Sequence, residues 1–134
     1  MKEYQEIIDR AFKVCENAYV PYSNYQVGAC VVTKDNNYFV GANVENASYG
    51  LTNCAERNAI FQAYSNGYRK EDIEAIAIVS KGKTLASPCG ACRQVFVELL
   101  DKHTPIVLSN GELEKVTNIE ELMPMSFSKE DLDI

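Results

Sequence analysis

Cys54-Ala55-Glu56 and, further along, Pro88-Cys89-Gly90-Ala91-Cys92 are where this chain gathers side chains able to do chemistry. Taken alone, a C-x-x-C at the start of a helix has three readings: a redox dithiol, half of a structural zinc site, or two small buried residues. Cys54 narrows them. It opens a second predicted helix, and two helix N-termini that each follow a strand or loop can converge at one end of a sheet. Their unpaired N–H groups and positive dipole ends favour thiolate over thiol at all three sulfurs. Three thiolates with a fourth position open is the ligand set of a catalytic zinc, one ion per chain, whereas a structural site closes with four protein ligands. The one histidine, His103, follows the third predicted helix and is poorly placed to be that fourth ligand.

Glu56 adds a proton carrier. Residues two apart on a helix point to nearly opposite sides, so Cys54 and Glu56 cannot share a metal as neighbours on one helix face. At the first turn, however, Cys54 can reach beyond the helix end while Glu56 approaches the reacting water without being a ligand, as a general acid/base must. The plainer alternative is a first-turn glutamate favoured by the helix dipole. Three thiolates around a doubly charged zinc leave a net negative site and a less acidic water, which calls for a nearby cation. Arg57 is expected to fill that role by hydrogen-bonding the thiolates, the alternative being a solvated surface arginine.

The elements that must position these residues are legible in the hydrophobic pattern. Ile7, Ile8, Ala11, Phe12, Val14, Cys15 and Ala18 form a helical stripe over residues 3–19, with Pro21 as its stop. Residues 26–33 and 38–44 are β-rich, joined by Lys34-Asp35-Asn36-Asn37 as a hairpin turn. Residues 53–64 read as a helix ended by Asn66-Gly67. The near-continuous apolar run 73–80 predicts a central strand buried on both faces. A helix over 91–101, a strand over 105–108, an Asn110-Gly111 hairpin turn into 112–117 and a short helix over 119–123 follow, with one more helical turn from Ser128. The order α-β-β-α-β-α-β-β predicts an α/β sandwich around a mixed sheet.

Composition sets outer bounds. At 134 residues, 46% hydrophobic and 24% charged, the chain reads as a single domain spanning 1–134. A net charge of −6 argues against a nucleic-acid partner, which would require a basic face. Five cysteines leave one thiol over in any pairing scheme, which argues against a disulfide framework. Cys15 and Cys30 read as small buried side chains. No apolar run approaches the roughly 20 residues of a membrane span, and the acidic N-terminus does not read as a targeting segment. The expected location is therefore cytoplasmic, with no membrane partner.

The combination of Cys54-Ala55-Glu56 with Pro88-Cys89-Gly90-Ala91-Cys92 resembles the zinc nucleoside deaminases, specifically the small homotetrameric cytidine deaminases of the cytidine/deoxycytidylate deaminase superfamily. Cys54 stands where the histidine of the H-x-E form would be, as in the three-cysteine branch. The resemblance extends over Val20-Pro21-Tyr22-Ser23, Tyr25-Gln26-Val27-Gly28-Ala29, the block from Gly41 to Tyr49, and Arg93-Gln94. It implies a three-layer α/β/α sandwich with a five-stranded mixed sheet, Zn2+ on Cys54, Cys89 and Cys92, and Glu56 as the catalytic residue. It further implies that Asn43 and Glu45 hold the ribose hydroxyls and that Tyr25, where the family commonly has phenylalanine, lines the base pocket. Backbone groups near Ala55 and Ser87 would read the pyrimidine edge. Phe127 matches an aromatic that enters a neighbouring subunit's site in the tetramers, or else it covers core.

The implied reaction is hydrolytic deamination of cytidine and 2′-deoxycytidine to the uridine forms with release of ammonia, a pyrimidine-salvage step. Glu56 would move protons between water, ring N3 and the leaving amine. Three rivals stay open on sequence: a thiol–disulfide oxidoreductase using Cys89 and Cys92, a zinc-stabilised interaction module, and a deaminase of another nucleoside such as blasticidin S. The first leaves Cys54, Glu56 and the Asn43–Glu45 pair without a role.

Overall fold

The structure is a computed structural model that describes residues 2–133. Its elements in chain order are α1 (Gln5–Cys15), β1 (Val27–Thr33), β2 (Tyr38–Ala42), α2 (Ala55–Ser65), β3 (Ile73–Ser80), α3 (Gly90–Leu99), β4 (Ile106–Ser109), β5 (Glu114–Thr117) and α4 (Ile119–Leu122). The strands form a five-stranded sheet in the order β2-β1-β3-β4-β5. Only β3 and β4 run parallel, joined by the crossover through α3, and the other neighbours are antiparallel. This is the mixed sheet that the element order predicts.

Strand alternation divides the core into two layers. Cys30 and Val32 of β1, Ala75, Ala77 and Val79 of β3, and Val107 of β4 pack with Ile7, Ile8, Ala11 and Cys15 of α1. Ala29 and Val31, Ile76 and Ile78, and Ile106 and Leu108 pack on the opposite face with Ala55, Ala59, Ile60 and Ala63 of α2 and Phe96 of α3. β3 is buried along nearly its whole length, as its unbroken apolar run requires.

Two glycines set how closely the helices lie on the sheet. A Cβ on Gly28 would stand 2.0 Å from the Ala11 carbonyl oxygen of α1. A Cβ on Gly41 would stand 2.6 Å from both the Ala55 oxygen and the Ala59 nitrogen of α2. In each case backbone, which cannot swing aside, occupies the space a side chain needs. Gly41 thereby seats the first turn of α2, the turn that follows Cys54.

Some boundaries differ from the sequence reading. α1 stops at Cys15 and not at residue 19, well before Pro21. The segment beyond it is captured by a strand-like contact: Tyr19 N–H donates to Asn43 O at 3.0 Å, and Glu45 N–H donates to Tyr19 O at 2.8 Å. β2 likewise ends at Ala42, and Val44 survives only as an isolated bridge to Tyr19 and to Asn53. The Asn66-Gly67 stop of α2 is as expected, with Gly67 at φ +93° and Tyr68 N–H donating to Ala63 O. Among the described residues, no helix is long and apolar enough to cross a membrane.

Candidate active site

Cys54 is the residue that caps α2, and Cys89 caps α3; both have extended backbone angles and neither sulfur caps its own helix. Cys92 lies in the first turn of α3 and is buried, on the same face as Phe96 one turn later. Phe96 is fully buried and anchors that face; truncating such a phenylalanine costs about 3–5 kcal/mol. The two helix starts therefore meet, sulfur to sulfur. Cys54 Sγ is 3.8 Å from Cys89 Sγ, Cys89 Sγ is 3.4 Å from Cys92 Sγ, and all three lie within 4.8 Å of one another. Among the described residues this is the one cluster with metal-binding geometry.

The cluster fits zinc. Zinc–sulfur bonds of about 2.3 Å at tetrahedral angles put neighbouring sulfurs about 3.8 Å apart, close to the spacing found. All three cysteines are free, and His103 is not in the cluster. The electrostatics agree. Hydrogen bonding from the Cys92 thiol, opposed by burial and reinforced by Arg57 and Cys89, lowers the Cys54 thiol to about 5. Cys92 moves the other way, raised by its hydrogen bond to Cys54 and by burial. Arg57 Nη2 donates to Cys54 Sγ at 3.4 Å. That contact in turn holds the guanidinium more firmly protonated. Arg57 Nε is buried without a partner, so the guanidinium is committed to the sulfur side at the cost of one unmet donor.

Glu56 is 5% exposed, and burial pushes its carboxyl up to about 7. It lines a cleft of about 370 Å³ together with Cys54, Cys89, Ala55, Tyr25, Asn43 and Ser87. A larger hollow of about 680 Å³, between the end of α3 and residues of the C-terminal tail, contains none of the cysteines and not Glu56. Chemistry, not size, places the site in the smaller cleft.

Side chains far apart in sequence hold this arrangement. Asn58 Nδ2 donates to Ala42 O at 2.7 Å, and its Oδ1 accepts from Asn53, tying the start of α2 to the end of β2. Arg93 donates to Pro88 O at 2.8 Å, to Ser87 Oγ at 2.6 Å and to Leu122 O at 2.8 Å, fixing the loop that delivers Cys89. Asn43 and Glu45 lie just past β2, and both brace the segment before β1. Asn43 accepts from Val27 N–H at 2.9 Å and donates to Tyr25 O at 2.8 Å. Glu45 accepts from Tyr22 N–H at 3.0 Å, Ser23 N–H at 3.2 Å and the Ser23 hydroxyl, and the hydroxyl's bond holds its carboxyl below the usual range.

Of the residues singled out from sequence, the cleft brings together Cys54, Ala55, Glu56, Cys89, Tyr25 and Asn43, with Cys92 in the sulfur cluster and Arg57 against it. Glu45 and Phe127 are not in its lining. Phe127 is 59% exposed, its carbonyl accepting from Gln94 Nε2 at 2.8 Å. Sequence reasoning missed Val27, Leu85 and Ala86 in the lining and the anchoring roles of Asn58 and Arg93. For Arg93 the signal was its place one residue after the C-x-x-C, where a long side chain reaches back over the loop.

The likeness to known proteins points the same way. The profile of the cytidine and deoxycytidylate deaminase zinc-binding region matches residues 1–108. A cytidine deaminase from Halalkalibacterium halodurans is 50% identical over 131 residues, covering 96% of this chain and 97% of its own. One from Sporosarcina psychrophila is 43% identical over 132 residues, covering 97% and 95%. The crystal structure of cytidine deaminase from Burkholderia pseudomallei superposes with a TM-score of 0.89 at 47% identity, over 92% of this chain and 98% of that one. Cysteines converging from two helix starts beside a buried glutamate are thus set in a fold and sequence shared along nearly the whole chain, and the chain belongs to the zinc-binding cytidine and deoxycytidylate deaminase family.

Proposed function

We propose that the protein hydrolyses cytidine and 2′-deoxycytidine to uridine and 2′-deoxyuridine, releasing ammonia, with residues 1–134 working as one catalytic domain. The observation that carries this reading is Glu56, a nearly fully buried carboxyl in the wall of the cleft, beside three converging cysteine sulfurs. A zinc ion held by Cys54, Cys89 and Cys92 supplies the Lewis-acid activation that makes water a nucleophile near neutral pH.

The chain's own groups do the rest. Glu56 accepts the proton that water sheds as its oxygen bonds to C4, and delivers that proton to ring N3. Glu56 then carries the second water proton to the exocyclic amine, the C4–N bond breaks, and ammonia leaves. The net change is nucleoside plus water to deaminated nucleoside plus ammonia, and Glu56 ends as it began. Its burial keeps competing water away while the proton is in transit. Arg57 offsets the charge of the sulfur cluster through its contact with Cys54.

The pyrimidine occupies the slot walled by Tyr25, with backbone at Ala55 and Ser87 reading its edge. The ribose hydroxyls fall to Asn43 and Glu45. Each has hydrogen-bonding capacity beyond the bonds it makes to the 22–27 segment, since a carboxylate offers about four acceptor sites and a carboxamide two donors. The working form is a homotetramer in the cytoplasm serving pyrimidine salvage, with Phe127 of one subunit reaching a neighbour's cleft. Support for this comes from the exposure of Phe127, at 59%, and of Tyr49 and Leu51, at 75% and 72%, apolar surface that assembly would cover.

A spectrophotometric cytidine assay on the zinc-loaded protein, repeated with Glu56→Gln, tests the reading. Glu56→Gln should lower kcat by at least about a thousandfold while zinc content, measured by atomic absorption, stays at about one per chain. Retained turnover in that variant overturns the role of Glu56; sedimentation at 15.0 kDa, a single chain's mass, overturns that of Phe127.

A further inference from the structure

Tyr25 forms part of the cleft wall, and its hydroxyl is tied to the sheet. It donates to Ser80 Oγ at 3.0 Å, and Ser80 is 0% exposed while Tyr25 is 44% exposed. Sheet register makes this contact possible. β1 and β3 pair Val27 with Ser80, so the last residue of β3 lies alongside the segment that enters β1.

The backbone of Tyr25 is already fixed on both sides. Its N–H donates to Ser23 Oγ at 3.0 Å and its carbonyl accepts from Asn43 Nδ2 at 2.8 Å. The side-chain torsions are the freedom that remains, and the bond to Ser80 removes it at the ring's far tip. Gly82 closes the same edge. A Cβ there would stand 3.4 Å from Tyr25 Cε1, and Asn110 Nδ2 holds the Gly82 carbonyl at 3.1 Å. A half-exposed aromatic ring is thus boxed by a buried serine and a tethered glycine, with its hydrocarbon face left for the cleft.

We propose that Ser80 is a positioning residue for the deaminase reaction: it latches the Tyr25 ring as a fixed wall of the base slot, so that nucleoside binding need not first order that ring. The inference rests on the cleft being the nucleoside site. An unlatched ring occupies the competent orientation only part of the time, and apparent affinity falls by that fraction. The chemical step does not involve the ring.

Ser80→Ala and Tyr25→Phe remove the same hydrogen bond from its two ends. With the net bond contributing about 1 kcal/mol, each should raise KM for cytidine about fivefold and leave kcat within about twofold. The double variant should be no weaker than either single one, because both remove one interaction. Additive effects, an unchanged KM, or a fall in kcat matching the rise in KM would each overturn the latch. Should Ser80→Ala fail to fold, Tyr25→Phe carries the test.

A second readout is independent of turnover. In the ligand-free protein, the ring ¹³C shifts of Tyr25 should move toward rotationally averaged values in Ser80→Ala, and unmoved shifts refute the latch. Wild-type protein that turns over no cytidine, while the Tyr25 shifts do move, refutes the substrate reading and leaves the ring restraint standing.

Discussion

Cys30 and Cys54 sit on opposite sides of one sheet and show what position does to a thiol. Cys30 is in the middle of β1, fully buried under α1 among Ile7, Ala11, Cys15 and Ala77, and burial pushes it up to about 12. Cys54 is at the mouth of α2, where the Cys92 thiol, the Arg57 guanidinium and Cys89 bring it down to about 5. Composition does not distinguish them. What does is whether the sulfur faces a closed apolar layer or the open end of a helix. The α1 side of the sheet stabilises the fold, and the α2/α3 side also carries the chemistry at its rim.

Replacing cysteines one at a time gives the largest contrast. Cys54→Ala, Cys89→Ala or Cys92→Ala should abolish stoichiometric zinc and lower kcat/KM by well over the 10- to 100-fold typical of losing an outer partner of a metal ligand. Cys15→Ala and Cys30→Ala should keep about one zinc per chain and near-normal turnover. Zinc analysis and the cytidine assay on the five proteins check this. Zinc loss on replacing Cys15 or Cys30 would break the division between the two sides.

The rim was easier to read from sequence than the layers beneath it. Cys54, Glu56, Cys89 and Cys92 announce themselves because residue type and local spacing carry the signal, and β3 does so through its unbroken apolar run. The end of α1 did not, since Pro21 marks a stop that helical geometry must obey but not the earlier point where Tyr19 pairs with Asn43. Asn43 and Glu45 were visible as a polar pair, whereas their bonds to the 22–27 segment depend on tertiary folding. Ser80 was silent for the same reason, since its contact depends on β1–β3 register, and Arg93 was marked only by its place after the C-x-x-C, its bond to Leu122 of α4 being tertiary.

Gly28 and Gly41 test the two sides through backbone packing. Both substitutions to alanine force helix and sheet apart and should cost about 1–3 kcal/mol in a denaturant titration, or more where neither side can yield. Their effects on the site should differ. Gly41→Ala displaces the first turn of α2, which carries Glu56 and follows Cys54, so zinc affinity and kcat should fall in the folded protein. Gly28→Ala displaces α1, and the folded fraction should retain zinc and kcat. Equal loss of kcat per folded molecule would show that the α1 side positions the site after all.

The smallest expected effect lies in the alkaline stability of Cys30. Its thiol ionises near the ordinary 9.0 when unfolded but only at about 12 when folded, so below pH 9 it is neutral in both states and contributes no pH dependence. Between pH 9 and 12 the unfolded thiol loses its proton while the folded one keeps it. The unfolded state is then favoured, and stability falls as pH rises. Cys30→Ala removes this contribution. It should lower stability at pH 7 by about 1 kcal/mol for the lost buried sulfur, yet show a shallower decline above pH 9 than the wild type. Paired urea titrations at pH 7, 9 and 10.5 measure both effects. Parallel declines would mean that Cys30 ionises as readily folded as unfolded, and the α1 layer would not be the closed apolar medium that separates it from the rim.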